Sequence, residues 1–451
     1  MESIGIITNE VSGLMTALIL KQKFNDSKIT VIALPKKSPL GSISNSTPQL
    51  HEFVGFVGLP FVDIIKRCDV GLQYGTRFNG WSKEDFLTAF LSKPHAQEFG
   101  QYLFLWGKFL EENLTSKQIW HPNIWSSLIN KTEHPLQHHF NADKLYKHLI
   151  DICPSRDISI IKDSIAKVEI KDRKIVSLKG KRKYEFDLYI DATGFDRKLI
   201  KALSPEWISY KKFLPNNAVT FFENKISREC LAYTTVTRKE KGSWFQQIPT
   251  YRHEGSFYFY DKNKISSPYK GKTTHFEQGY YKNSWIGNCC SIGKASGFIE
   301  PLHGHGIGLG VNQTFLLMHH LPNSIKLMRD FYNSGVEQVY ENIKNFTHLT
   351  YINQKNFNPT KALENQIEIW KNRLPISEDI SARFTLFKAF HFLVLLHGLG
   401  FLKKNLTNLL REYKSMNQML HTLAHGYWNE YKETFEFKGI PHKDFLKFHY
   451  H

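Results

Sequence analysis

The chain has 451 residues, 41% of them apolar and 22% charged, an ordinary globular balance with length enough for one large core or two. A formal charge of +17 would suit an acidic partner, yet the basic residues are dispersed and their densest run, LKGKRK at 178–183, falls where a hairpin turn is expected, which argues against nucleic acid binding and for a general composition bias. Five cysteines (Cys68, Cys153, Cys230, Cys289, Cys290) without C-x-x-C spacing read as reduced thiols, and the first 24 residues read directly as strand and helix rather than as a secretory signal, so the cytoplasm is the expected compartment.

The first element is IGIITNEVSG at 4–13, a short apolar strand running into a tight segment and a helix that begins near Ser12. This is the shape of a dinucleotide-binding βαβ unit, whose G-x-G-x-x-G turn uses one glycine to turn, one to admit a pyrophosphate and one to pack helix on strand. Only the third glycine is present, as Gly13; Thr8 and Glu10 stand at the first two positions. SKITVIALP at 27–35 predicts the second parallel strand, and the place that normally offers an acidic side chain to a ribose holds Ala33 or Leu34.

Residues 86–150 read as helical and aromatic, with Trp106, Trp120 and Trp125 in a core or on a cavity wall. From 158 to 195 the pattern is a β-meander with turns at Asp172-Arg173 and Gly180-Lys181, returning to an apolar strand that ends DATGF. NAVTFFEN, CLAYTTVT and SFYFY, between 215 and 261, predict a second sheet over a pocket. Beyond 311 the chain is helical and amphipathic, broken at Pro322, Pro359 and Pro375. The apolar stretch 384–404 approaches the roughly 20 residues that cross a bilayer, but Lys388, His391, His397, Gly398 and Gly400 interrupt it. A buried or interfacial helix is expected there, with contact to a membrane surface as the alternative. The two histidines of HGHGIGLG lack a third ligand nearby, so no metal is expected, and Cys289-Cys290 read as small buried apolar residues.

Five stretches then converge. The string GKASGFIEPL, within WIGNCCSIGKASGFIEPLHGHGIGLG at 285–310, resembles the flavin-side turn of the flavin-dependent tryptophan halogenases. GLQYGTRFNGW at 71–81 resembles the stretch that carries that family's catalytic lysine, SWFQQIP at 243–249 its GWxWxIP signature, DLYIDATGFDR at 187–197 its second flavin turn, and FYNSGVEQVYENIKNFTHLTYIN a helical segment nearer the C-terminus. The order of elements resembles that of a class A flavoprotein monooxygenase. The resemblance implies an α/β chain with the FAD/NAD(P)-binding Rossmann-like flavin monooxygenase fold, a second β-sheet and added C-terminal helices. Its Rossmann-like parts would be about 1–50, 155–200 and 283–320, its substrate side about 51–150 and 205–280, with the family domain ending near 375 and a helical extension over 376–451.

What the family does is then the expectation: reduced FAD from a separate flavin reductase, oxygen and a halide ion halogenate, or a related reaction oxidises, an indole-like aromatic substrate, free or within a peptide. Alignment through Arg77, Phe78 and Trp81 puts Gln73 where the family has its lysine, with Lys66 and Lys83 off the matching position; alignment through Glu300-Pro301-Leu302 puts His303 where it has its glutamate. His305 falls at a Ser/Thr position, while Ser243 and Gln246 replace the glycine and second tryptophan of GWxWxIP, and Ser44 replaces the acidic residue of the GxGEAT-like strap, here GSISNS. Cofactor contacts fall on Gly13, Asp191, Gly194, Gly293, Gly297, Pro301 and Gly306, and the substrate or tunnel positions on Trp244, Ile248, Pro249 and Phe298. Two readings stay open: an enzyme in which His303 and His305 do acid-base work, or an inactive halogenase-like scaffold for a ligand or an assembly that does not bind FAD.

Overall fold

The computed structural model describes residues 2–35, 39–73, 75–89, 137–226, 233–321, 325–373, 375–380 and 383–401. Its centre is a six-stranded sheet in the spatial order Trp285–Ile286, Cys289–Ser291, Leu188–Ala192, Ser3–Thr8, Lys28–Ala33, Ile158–Lys162, parallel except for the antiparallel first edge. The near-continuous apolar runs IGII, TVIA and LYI are what a sheet covered on both faces requires. Helix Val11–Lys23 packs on it and is itself covered by helix Gly306–His320, where the hydroxyls of Thr16 and Thr314 meet at 2.8 Å. Because the first helix is buried between two layers, Leu14, Met15, Ala17, Leu18, Ile19 and Leu20 are all inaccessible and it shows no polar stripe.

Gly13 is what lets that helix lie so close. A Cβ there would stand 2.3 Å from Thr8 Oγ1, 2.4 Å from Thr8 Cβ and 2.9 Å from Ala192 Cβ, so Gly13→Ala is expected to destabilise the fold by about 1–3 kcal/mol. Gly55, in helix Gln49–Phe56, has nothing within 4 Å of the same position, and Gly55→Ala should be neutral or stabilising. Urea midpoints for the two variants measure the difference; equal midpoints would mean that the Gly13 contact is absent.

Of the meander expected from 158, Lys167–Lys171, Lys174–Lys179 and Lys183–Tyr184 form it, with Asp172 and Arg173 both at positive φ (51° and 57°), the two-residue turn that suits a twisted hairpin, while Ile158–Lys162 joins the central sheet instead. The second sheet has seven strands in the order Lys272–His275, Ala218–Lys225, His253–Tyr260, Trp244–Pro249, Tyr233–Arg238, Gly75–Asn79, Phe86–Ala89. A small sheet of Ile43–Asn45, Gln137–Asn141 and Gly71–Gln73 lies beside it.

The expectation of a helical 86–150 is corrected at both ends. Phe86–Ala89 and Gln137–Asn141 are strands, and the helix is Ala142–Ile152, capped by the Asn141 side chain, which accepts from the amides of Asp143 and Lys144 at 3.0 Å. QHHFN hides its strand because all five residues are buried, so it shows no polar and apolar alternation. Trp106, Trp120 and Trp125 lie outside the described residues.

Helices Lys326–Leu349, Lys361–Asn372 and Ala389–Gly398 complete the described chain. The apolar segment near 390 belongs to the core: Phe346 stacks on Phe387 at 4.0 Å and meets Phe392 edge-on at 5.0 Å, while Gly398 packs on Phe86. Its apolar residues Phe392, Leu393, Leu395 and Leu396 are therefore not offered to a membrane surface, and no described helix is long and apolar enough to cross a membrane. Cys68, Cys153, Cys289 and Cys290 are buried and unbridged, and burial pushes the thiols of Cys68, Cys153 and Cys290 up to about 12.

Candidate functional site

A cavity of about 150 Å³ opens where the C-terminal ends of Ser3–Thr8 and Cys289–Ser291 meet the N-termini of two helices, Val11–Lys23 and Gly306–His320. Open α/β sheets bind their ligands in such a crevice. One wall is the first turn, Asn9, Glu10 and Ser12; another is Gly293, Lys294, Gly297, Phe298, Ile299 and Pro301; His305 and Gly306 also line it, and Gln246, Ile248, Phe257 and Phe259 come from the seven-stranded sheet. Neither helix has a side-chain cap, so their first amides are available to a polar or anionic ligand edge. A Cβ on Gly306 would meet nothing within 4 Å, which marks the open side of the cavity.

The first turn has rebuilt itself around Thr8 and Glu10. Thr8 Oγ1 accepts from the Glu10 amide at 3.0 Å and lies 3.1 Å from the Ala192 carbonyl, so the hydroxyl occupies the place of the missing glycine and engages the amide that a phosphate would use. The Glu10 carboxylate pairs with Lys294 at 2.9 Å and lies over Gly194, whose Cβ would be 2.5 Å from Glu10 Oε1. Asn9 Oδ1 and Ser12 Oγ, on the same wall, are buried without a hydrogen-bond partner. The residues present therefore fit a flavin ring, with apolar walls, two uncapped helix ends and unpartnered polar atoms. They do not fit a pyrophosphate while Glu10 holds its place.

Behind the cavity, Glu300 is fully buried and accepts from three donors: Tyr351 Oη at 2.6 Å, Asn216 Nδ2 at 2.9 Å and Trp244 Nε1 at 3.0 Å. Its amide donates to Gln278 Oε1 at 2.8 Å, and burial raises its carboxyl above the usual range. His303 leaves the turn on the side away from the cavity, into a cage of Phe346, Phe78 and Phe387 with ring centroids at 4.5, 5.6 and 5.8 Å, its Nε2 2.9 Å from Thr350 Oγ1. Burial holds its imidazole well below the ordinary value, and His305 is pushed down to about 4 for the same reason. Both rings are neutral near pH 7.

Gln73 ends strand Gly71–Gln73 directly opposite Gln137, which puts the two amides side by side on one face. Gln73 Nε2 donates to the Gly75 carbonyl at 3.2 Å, and the Oε1 atoms of both glutamines and Thr76 Oγ1 are buried without partners. This neutral polar patch, like His303, lies off the cavity wall.

Of the positions expected to contact a cofactor or substrate, Gly293, Gly297, Phe298, Pro301, Gly306 and Ile248 border the cavity. Others have different work. Gly13 packs the helix on Thr8, and Gly194 supports Glu10. Asp191 has an internal role: its carboxylate takes the amides of Thr193, Leu199 and Ile200 and the Thr193 hydroxyl, which fixes the DATGF turn. Trp244 stacks on Phe259 at 4.1 Å and is fully buried, and Pro249 pairs with Glu254 at the far end of the strand. Sequence reading missed Lys294, Glu300 as a hub, and Gln137. Lys294 was visible in GKASGF as a cation beside the turn, but its pairing with Glu10 is purely tertiary. No group of three or more His, Cys, Asp or Glu able to hold a metal occurs among the described residues.

The chain matches the tryptophan halogenase family profile over residues 3–415. It is 25% identical over 464 residues to the 7-chloro-L-tryptophan 6-halogenase of Kutzneria sp. (strain 744), covering 88% of this chain and 90% of that one. It is 24% identical over 468 residues to the tryptophan 6-halogenase of Streptomyces toxytricini, covering 88% and 89%. Its fold superposes on the crystal structure of the tryptophan halogenase from Shewanella frigidimarina NCIMB 400 with a TM-score of 0.86 at 20% identity, covering 100% of this chain and 98% of that one.

Proposed function

The chain belongs to the tryptophan halogenase family, and from that premise we propose that it halogenates or otherwise oxidises an indole-like aromatic with reduced flavin and oxygen, without the charged pair on which the family relies. The family is FAD-dependent and works with an aromatic substrate, a halide and a separate flavin reductase. The observation that carries the reading is the cavity wall from Gly293 to Gly306, where the family turn, the uncapped helix and the open Gly306 side persist together. A bound reduced flavin would supply two electrons to activate oxygen, which is the oxidant.

The chain's own residues determine the rest. Gln73 offers an unpartnered acceptor beside that of Gln137, suited to the O–H of a hypohalous acid or the N–H of a substrate, but an amide cannot form a chloramine. His303 is neutral in its aromatic cage, so it cannot stabilise a cationic ring as a carboxylate would. Turnover below that of charged relatives follows.

The test is product analysis: full-length protein with reduced flavin, oxygen, an indole series and chloride or bromide. Halogenated or oxygenated indole is expected, and Gln73→Leu should lower its yield roughly tenfold, the worth of one hydrogen bond of about 1.4 kcal/mol. No product, together with no flavin binding, would favour the second reading, an inactive ligand-binding scaffold. That reading draws on the Glu10–Lys294 pair across the phosphate turn.

A further inference from the structure

Basic residues that are dispersed along the sequence are gathered by strand register on the meander. Alternate residues of a strand face the same way, and the pairing sets Lys174 opposite Lys171, Lys179 opposite Lys167 and Lys183 opposite Lys179. All five lysines are exposed, whereas Ile175, Leu178 and Tyr184 on the reverse face are buried against the central sheet, on the side away from helix Val11–Lys23. Like charges directly opposite one another across a strand pair are destabilising. Three such contacts on one small sheet are a cost that packing does not require, because these side chains touch no core.

The acids on the outer face have fixed places. Glu169 stands at the centre opposite Ser177, whose hydroxyl donates to it at 2.5 Å, with Lys179 at 2.8 Å and Lys167 at 3.8 Å. Glu185 pairs with Lys183 at 2.5 Å at the edge. Lys171 and Lys174 make no ion pair among the described residues, and the turn between them, Asp172-Arg173, adds no net charge. The result is a frame of lysines around one held carboxylate.

We infer that this face docks an acidic protein surface, whose carboxylates meet the lysines and which sets a hydrogen-bond donor opposite Glu169. A nucleic acid or an anionic membrane would lay negative charge over the whole face, Glu169 included. The buried reverse side also keeps the ribbon out of a groove, and no aromatic side chain stands on the outer face to stack on a base or enter a bilayer. At about 4.8 Å between strands and 3.3 Å per residue the face measures on the order of 10 by 20 Å. That is far below the roughly 800 Å² per partner of a stable complex, so the encounter is transient and steered by charge. None of these residues lines the cavity, and docking leaves it open.

The experiment measures binding of the full chain at low salt to three probes: a glutamate-rich copolymer with lysine, a short duplex DNA, and vesicles of phosphatidylserine and phosphatidylcholine. Lys171→Gln/Lys174→Gln is set against Lys270→Gln/Lys355→Gln, the same charge change at exposed lysines elsewhere. The face variant should bind the copolymer about tenfold more weakly than the control variant, while DNA and vesicle binding fall equally in both. Glu169→Gln should strengthen binding to DNA and vesicles and leave that of the copolymer unchanged. With a like-charge contact removed, the face variant should melt no lower than wild type, which separates loss of docking from loss of fold. No copolymer binding, or equal losses in the face and control variants, would overturn the inference. A loss of DNA or vesicle binding confined to the face variant would overturn it in favour of that polyanion.

Discussion

Replacement of Glu300 by Ala is expected to cost about 3–6 kcal/mol of stability. The carboxylate is inaccessible, and its removal takes an acceptor from Tyr351 Oη, Asn216 Nδ2 and Trp244 Nε1 in the interior, of which Asn216 Nδ2 keeps the Gly242 carbonyl at 3.3 Å. Each buried donor left unsatisfied costs on the order of 1–3 kcal/mol, and the three losses share one void, so they should fall short of additive. Glu300→Gln is the milder change. Its carbonyl oxygen can accept from Asn216 and Trp244, while its NH2 can donate to the Tyr351 hydroxyl, which also accepts. A loss near 1–2 kcal/mol is expected for Gln. Urea unfolding measures both, and Trp244 fluorescence reports the broken indole contact. An alanine variant within 1 kcal/mol of wild type would show that the hub does not hold the turn.

Acid should destabilise the protein before its carboxylates are reached. Burial lowers His138 and His391 to about 3, His305 and His348 to about 4, and His303 well below the ordinary value of 6.5. A histidine whose pKa is depressed by folding contributes its full stability above 6.5, where it is neutral in both states. Below that the unfolded chain takes up protons that the native state refuses, and stability falls until the folded pKa is reached. At roughly 1.4 kcal/mol per pH unit for each group, these histidines should remove several kcal/mol between pH 6.5 and 5, a fall in Tm on the order of 10 °C. Asp191 and Glu300, whose carboxyls burial raises, act in the opposite sense and blunt the slope. His303→Phe, which keeps a ring among Phe78, Phe346 and Phe387, should flatten the curve relative to wild type. A melting temperature constant from pH 7 to 5 would contradict the assignment.

Much of this architecture was legible in the sequence because it rests on local pattern. IGII, TVIA and the meander turns carry their own periodicity, and Gly13 announces close packing before any contact is known. What was not legible is what depends on distant partners. QHHFN passed for part of a helical region because its polar groups are answered across strands, as where His139 Nε2 lies 3.0 Å from Thr234 Oγ1. His303 and His305 looked alike as two histidines of a glycine turn, yet one points into an aromatic cage and the other borders the cavity. Glu10 read as a charge obstructing a phosphate turn; that it is neutralised by Lys294 is visible only when residues far apart in sequence are brought together.

The strand order of the central sheet also sets when this chain can fold. Ser3–Thr8 pairs on one side with Lys28–Ala33, which is made almost at once, and on the other with Leu188–Ala192, which in turn waits for Cys289–Ser291. During synthesis the first two strands and the apolar helix between them must persist for well over a hundred residues before a partner arrives, with both edges of a flat hydrophobic ribbon exposed. Such non-local parallel pairing is slow and aggregation-prone. The cavity, built from both ends of the chain's order, is thus among the last features to form, and a holding chaperone should raise soluble yield more than any change at the site itself.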